Sequence, residues 1–241
     1  KYGDKAMLDG LQHDGLTDVY CNQAMGVLGD KCASEYKFSR EDQDNYAVQS
    51  YKRASNAWKE NKFKEEVIPV EITLRNGKKV IIEEDEEFKN INFDKVSQLK
   101  PAFAKDGTVT AANASTLSDG ASAIVLMSKE KCSELNLTPI ATIKYYCDAA
   151  QDPEWFTTAP SIAVNKILSE TGMNIKDIDF FEFNEAFSVV ALANMKILDI
   201  KDNIVNIHGG AVSLGHPLGC SGARILTTLC HVLMQNKAKR G

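Results

Sequence analysis

The chain has 241 residues, 44% hydrophobic and 25% charged, with a formal net charge of −5. That length can bury a substantial core in one large domain or two small ones. The charge balance offers no basic face for neutralising phosphates, which argues against a nucleic-acid partner, and no apolar run approaches the roughly 20 residues of a membrane span.

In chain order, residues 1–38 mix turns at Asp9-Gly10 and Asp14-Gly15 with a short apolar segment around Ala24 to Leu28. Ser39 opens the clearest predicted helix. Ser39 and Asp42 have capping-box spacing, and Ala47, Tyr51, Ala54 and Trp58 fall on one face. Val67 to Arg75 reads as a strand, Asn76-Gly77 as a hairpin turn and Lys78 to Ile82 as the return strand. Alternation of Val70, Ile72 and Leu74 with polar residues predicts one wet face, and Glu83 to Glu87 reads as a solvated acidic run. After Gly107 the predicted elements are a buried strand at Ala121 to Met127, a helix at Ser128 to Asn136 and a strand at Ile140 to Tyr146. Pro160 at a first helical position and Gly172 past the end bracket a further helix. Ile178 to Phe183 reads as a strand, followed by a helix from Glu185 to Leu198 that is apolar on nearly every side and therefore buried. Strand and helix alternate through the second half, which predicts a three-layered α/β arrangement. No internal repeat is evident. The cysteines (Cys21, Cys32, Cys132, Cys147, Cys220 and Cys230) form no CxxC pair and no zinc-like spacing. Reduced thiols in an intracellular compartment are expected.

Two positions carry chemistry. Asn184 lies between the predicted strand and helix, where it suits an N-cap. Strand ends in α/β sheets are also where active sites gather, and an Asn amide there can orient a water or donate to an oxyanion. Asn206 to Arg224 holds five glycines, a proline and two histidines. It follows a short buried strand at Ile204, Val205 and Ile207 and precedes a helix marked by Ile225, Leu226, Leu229, Val232 and Leu233. Lys237, Lys239 and Arg240 complement that helix's negative end, with Gly241 as its expected C-cap. His216 sits on the loop, and Pro217 holds it extended. A structural histidine on an ordinary α/β connection is the alternative. The spacings GxGxxG and GxxxxGK[ST] are absent, which sets aside nucleotide cofactors of the NAD or ATP type.

These segments resemble the thiolase superfamily: Asn184-Glu185-Ala186-Phe187 resembles its NEAF motif, and Gly209-Gly210-Ala211 through Gly215-His216-Pro217-Leu218-Gly219-Cys220-Ser221-Gly222 its GGAxxxGHPxGxSG motif. Gly107 to Gly120 is similar to the segment that joins the family's loop domain to its N-terminal half, so the resemblance runs through the whole chain. It implies a layered αβαβα fold, incomplete here, with an inserted α+β loop domain. Residues 1–117 would be the loop domain, 118–139 the return strand and helix of the N-terminal half, and 140–241 a truncated C-terminal half.

The text most resembles the acetoacetyl-CoA-forming members, the mitochondrial ones in particular. The resemblance implies Claisen condensation of two acetyl-CoA to acetoacetyl-CoA and CoA, with thiolysis as the reverse. His216 would activate the nucleophilic cysteine and, with a water held by Asn184, form an oxyanion hole. Tyr51, Lys95 and Ser115 match coenzyme A contacts. Tyr51, Ala111, Ala112, Ala114 and Val212 match the surroundings of a potassium ion in the potassium-activated mitochondrial enzymes. Phe156 resembles the aromatic near their acyl pocket, and its bulk with that of Met25 favours short acyl groups. Acyl-CoA partners, a homotetramer and a mitochondrial or, alternatively, cytoplasmic location follow from the same resemblance. Neither of the family's two cysteine motifs occurs in the chain, and neither end looks like a natural terminus, so an inactive internal fragment is expected. Cys220 reads as core filler. Asn90 stands where many relatives carry an arginine and Ala24 where many carry a histidine; His13, His208 and His231 have no assigned role. The rivals are a degradative 3-ketoacyl-CoA thiolase and a non-catalytic acyl-CoA-binding relative.

Overall fold

A computed structural model describes residues 2–241. Near its start, β1 (Thr17–Asp18) and β2 (Gln23–Ala24) pair antiparallel and lead directly into helix α1 (Met25–Tyr36). The sequence reading took only the first turn of α1 as an apolar segment. Gly26 and Gly29 weaken its local helix signal, and Ala24 provides no side-chain cap. Tertiary burial stabilises it instead: Cys32 and Ala33 pack with Val109, Phe187, Val189 and Val190.

Helix α2 (Arg40–Lys59) starts as expected, with Ser39 Oγ accepting from the Asp42 amide at 3.1 Å and Asp42 Oδ2 from the Ser39 amide at 2.8 Å. Ala47, Tyr51 and Ala54 are buried on one face with Phe88 and Val212, and Trp58 packs at its edge. The hairpin of β3 (Val70–Thr73) and β4 (Lys79–Ile82) turns at Asn76-Gly77, with Gly77 at φ 79°. All four residues of β3 are exposed, so both faces are wet where one was expected.

Two expected strands do not form. Residues 121–127 and 140–146 are irregular and exposed, Val125 by 83% and Tyr146 by 86%. A strand depends on cross-strand neighbours, and among the described residues nothing pairs with these segments. Between them lies α3 (Lys129–Glu134), capped by Ser128 Oγ. Helix α4 (Ala159–Thr171) has Pro160 in its first turn and Gly172 in the left-handed conformation at its end, as read from the sequence.

The expected strands at 178–183 and 204–207 likewise form no regular ladder. Among the described residues they share one parallel bridge, Phe181 to Val205, and two bonds of the Asn206 side chain, whose Oδ1 accepts from the Phe183 amide at 2.8 Å and whose Nδ2 donates to Phe183 C=O at 2.9 Å. The buried helix α5 (Ser188–Leu198) begins three residues later than expected, with extended Phe187 as its N-cap. The strand-like run continues to Phe187 because Ala186 C=O accepts from the Ser115 amide at 3.0 Å. Asn184 therefore lies outside the helix, and the N-cap reading is overturned. The glycine-rich loop contains a one-turn helix, α6 (Ala211–Leu214), and leads into α7 (Ser221–Gln235). Helix α7 ends at Asn236, and Lys237 takes the left-handed conformation at φ 53°. Gly241 is thus not its C-cap: the Lys239 and Arg240 amides instead bond Asp179 Oδ2.

One buried group ties these elements together. Glu185 is fully buried, and its carboxylate accepts four hydrogen bonds. Oε1 receives Tyr46 Oη at 2.7 Å and Asn206 Nδ2 at 2.8 Å; Oε2 receives Ser50 Oγ at 2.8 Å and the Val212 amide at 3.1 Å. Helix α2, the start of the glycine loop and α6 are thereby fixed to the segment that carries Asn184. Glu185→Gln places an amide donor where only donors point. It is expected to lower unfolding free energy by about 1–3 kcal/mol, read from urea titrations of the intact protein; an unchanged midpoint would count against this clamp.

Candidate active site

His216 follows Gly215, whose φ of 95° turns the chain. The His216 amide donates to Thr116 C=O at 3.1 Å, and Leu117 pairs with His216 in a parallel bridge. The imidazole is held on both edges. Nδ1 lies 2.6 Å from Ser221 Oγ in the first turn of α7, and Nε2 lies 3.4 Å from Asn184 Nδ2. The Ser221 hydroxyl also donates to Pro217 C=O at 3.2 Å. That use of its single proton leaves Oγ to accept from Nδ1–H, so Nε2 carries the lone pair and the Asn184 amide faces it as a donor.

This half-buried ring opens on a cleft of about 300 Å³ lined by Leu11, Leu117, Ser118, Asp119 and Leu218. Burial, and then the nearby Arg224 charge, hold the imidazole pKa below its ordinary value. The ring is a neutral base near pH 7. Asn184 Oδ1 is buried without a hydrogen-bond partner, leaving one acceptor free to hold a water.

The positions expected to contact coenzyme A (Tyr51, Lys95, Ser115) and those expected around potassium (Tyr51, Ala111, Ala112, Ala114, Val212) divide between places. Tyr51, Lys95, Ala111 and Ala112 line a second cleft of about 230 Å³, together with Asn90 and Glu87. Val212 is buried in the cluster behind Tyr51. Ala114 instead packs with Cys32 and Phe187 and bridges Phe187. Ser115 lies beside the Asn184 segment, its Oγ donating to Ala186 C=O at 2.9 Å. Met25 and Phe156 pack against one core cluster with Phe187 and Val189. Cys220 is half-buried at the N-cap of α7.

Sequence reading did not single out Ser221, Glu182 or Arg224. The Glu182 side chain is only 2% exposed and lies 4.0 Å from Arg224. Burial pushes its pKa up to about 8 against the lowering effect of Arg224. A lone acid among Phe180, Phe181 and Phe183 was the available signal, because buried charge is costly. His231 is also buried, with Nδ1 3.3 Å from Glu66 Oε2.

Comparison with known proteins matches residues 1–130 to the thiolase N-terminal domain and 137–241 to the thiolase C-terminal domain. The chain is 51% identical to an acetyl-CoA acetyltransferase of Schizosaccharomyces pombe, covering all of this chain and 61% of that one. It is 49% identical to one named cytosolic in Gibberella zeae, again over 100% of this chain and 61% of the relative. A crystal structure of a thiolase from Ascaris suum in complex with coenzyme A has a TM-score of 0.91 at 48% identity, over 97% of this chain and 60% of that one. That of the Bacillus anthracis acetyl-CoA acetyltransferase has a TM-score of 0.94 at 37% identity, over 99% and 60%. The chain spans about three-fifths of the length of the curated relatives it matches. Its fold is the α/β fold of these structures.

Glu182 also marks a pH dependence. Its folded pKa lies above the ordinary carboxylate value, so the folded state binds the proton more tightly than the unfolded one. Stability is therefore present at low pH and lost as pH rises through about 8. Glu182→Gln should flatten this decline, so that thermal midpoints at pH 6 and pH 9 differ less than in the wild type. An equal decline in both proteins would assign the loss to other groups.

Proposed function

This chain belongs to the thiolase family, and from that premise we propose that the intact protein is an acetyl-CoA C-acetyltransferase, joining two acetyl-CoA into acetoacetyl-CoA and CoA and running the reverse thiolysis. The observation that carries this reading is the pairing of His216 Nε2 with the Asn184 amide at 3.4 Å, delivered from two separate loops. A protein that only bound acyl-CoA would need neither group.

Condensation requires a nucleophile to hold one acyl group, a base to remove an α-proton from the other, and donors for the enolate oxygen. In our reading His216 Nε2 takes the proton of the attacking thiol, while Nδ1–H stays on Ser221 Oγ and fixes the ring. The protonated ring then presents Nε2–H to the thioester oxygen. Asn184 holds a water beside it, and the two donors form an oxyanion hole. Met25 and Phe156 close the acyl side against the core, which favours an acetyl group over longer chains.

Lys95, Tyr51 and Ser115 are proposed coenzyme A contacts. The cleft shared by Lys95 and Tyr51 supports the first two, and the proximity of Ser115 to Asn184 supports the third. A potassium ion fits the chemistry of that cleft, which Tyr51, its Oη 3.5 Å from Glu87 Oε1, lines together with Ala111 and Ala112. Hard cations take oxygen donors, and burial keeps the Tyr51 phenol protonated and neutral. Such an ion would supply positive charge beside the bound coenzyme, and Val212, packed behind Tyr51, would back the site. The division at residues 117 and 139 and a homotetrameric assembly are part of the same proposal. One relative's name carries the word cytosolic, so a cytoplasmic location stands beside the mitochondrial one.

In the intact protein His216→Ala should lower the condensation rate by on the order of 10² or more, the typical effect of removing one oxyanion donor. Coenzyme A affinity by calorimetry should change little. Wild-type turnover in the variant would remove His216 from the mechanism.

A further inference from the structure

We propose that Arg224 is a positioning residue for His216, its buried and uncompensated charge holding the imidazole in the neutral form that can accept a proton. The inference rests on the reading of His216 as the base and names the group behind it.

Two parallel contacts join the extended 182–184 segment to the His216 loop and α7. Asn184 meets His216, and two residues back Glu182 meets Arg224. Residues two apart on an extended chain share a face. On α7, Arg224 lies three residues beyond Ser221 and so shares its side of the helix, and Ser221 holds His216 Nδ1 at 2.6 Å. The guanidinium is thus carried by the same turn that fixes the ring.

Among the described residues its charge has no tight counter-ion. An ionised carboxylate facing a guanidinium forms charge-assisted bonds of about 2.7–2.9 Å. Glu182 Oε2 stands 4.0 Å from Arg224 Nη1, and Glu182 Oε2, Arg224 Nη1 and Arg224 Nη2 are all buried without hydrogen-bond partners. That geometry fits a protonated Glu182, as does the upward shift of its pKa by burial. The other acids within reach of Arg224 do not close on it. Glu66 faces His231 at 3.3 Å, and Asp85 is held up by burial and shares the field with Glu84 and Lys89. Glu182 itself is also influenced by Glu185 and Arg53. On the open side of His216 the cleft contributes one acid, Asp119. A cation there favours the uncharged ring.

The test measures the pH midpoint of His216 directly in the intact protein. Carbethoxylation by diethyl pyrocarbonate is followed on the His216 peptide by mass spectrometry, with His13 and His208 as internal controls. In Arg224→Gln and Arg224→Met the His216 midpoint should move to higher pH while the controls stay in place. Arg224→Lys, which keeps the charge, should hold the wild-type midpoint. Glu182→Gln should also leave it unmoved, because the carboxyl already carries its proton where His216 titrates. An unshifted midpoint in the neutral Arg224 variants overturns the proposal. So does a lowered midpoint in Glu182→Gln, which would expose an ionised counter-charge. Should neither neutral variant fold, the double variant Glu182→Leu with Arg224→Met, which replaces both buried groups by apolar ones, is read in their place: a raised His216 midpoint supports the proposal and an unshifted one overturns it. If the wild-type intact protein makes no acetoacetyl-CoA, the functional reading fails, while the midpoints still judge Arg224.

Discussion

The arrangement of the site depends on one carboxylate withdrawn from the protein surface. Glu185 is buried completely, and the cost of taking a charge out of water is offset only because four donors converge on it. Those donors come from α2, from Asn206 and from the first turn of α6, so satisfying the charge fixes the relative positions of three elements. The backbone must come very close for this to work. A Cβ at Gly210 would lie 2.3 Å from the Glu185 carboxyl carbon, so no larger residue fits there. Asn184 precedes Glu185 on one segment, and His216 follows Val212 on the other. Their 3.4 Å approach is a consequence of the clamp.

Behind the ring, the electrostatics differ from those of the clamp. Glu185 is satisfied by neutral donors, whereas Glu182, Glu66, Arg224 and His231 form a cluster whose contacts are long and whose polar atoms are left over. The Glu182 and Glu66 pKa values are both pushed up by burial, to about 8 and about 6. A satisfied buried charge makes the frame rigid. An unsatisfied one projects its field, and beside the imidazole it acts in the same direction as burial, the larger cause holding that ring's pKa down.

Much of this was legible in the residues. The capping box at Ser39 and the bracket of Pro160 and Gly172 are local signals with local causes, and the structure follows them. The glycine density around His216 pointed to a constrained loop, although the short α6 inside it gave no signal, being one turn without a cap. Helix α1 was hidden by its glycines and its missing cap, because its stability comes from packing against Val109 and Phe187. Asn184 was ambiguous for a similar reason: the start of α5 is set by a hydrogen bond from Ser115 to Ala186, 71 residues apart in sequence. Periodicity cannot report a contact of that range. The role of Glu185 was equally invisible, since its donors are spread from Tyr46 to Val212.

The expected strands at 121–127 and 140–146 fail for a different reason, and their failure says what the site requires. Their apolar character is real, yet Val125, Leu126 and Ile140 lie exposed without a ladder. The candidate site forms nonetheless. His216 is held by Ser221 on α7, by Thr116 C=O and by Asn184, and none of these contacts runs through either unpaired segment. What fixes the imidazole is a set of polar contacts, one from the first turn of α7 and two from the irregular segments at Thr116 and Asn184, each with its own hydrogen-bond geometry. The position of the chemistry rests on these contacts and not on an apolar sheet pattern at 121–127 or 140–146.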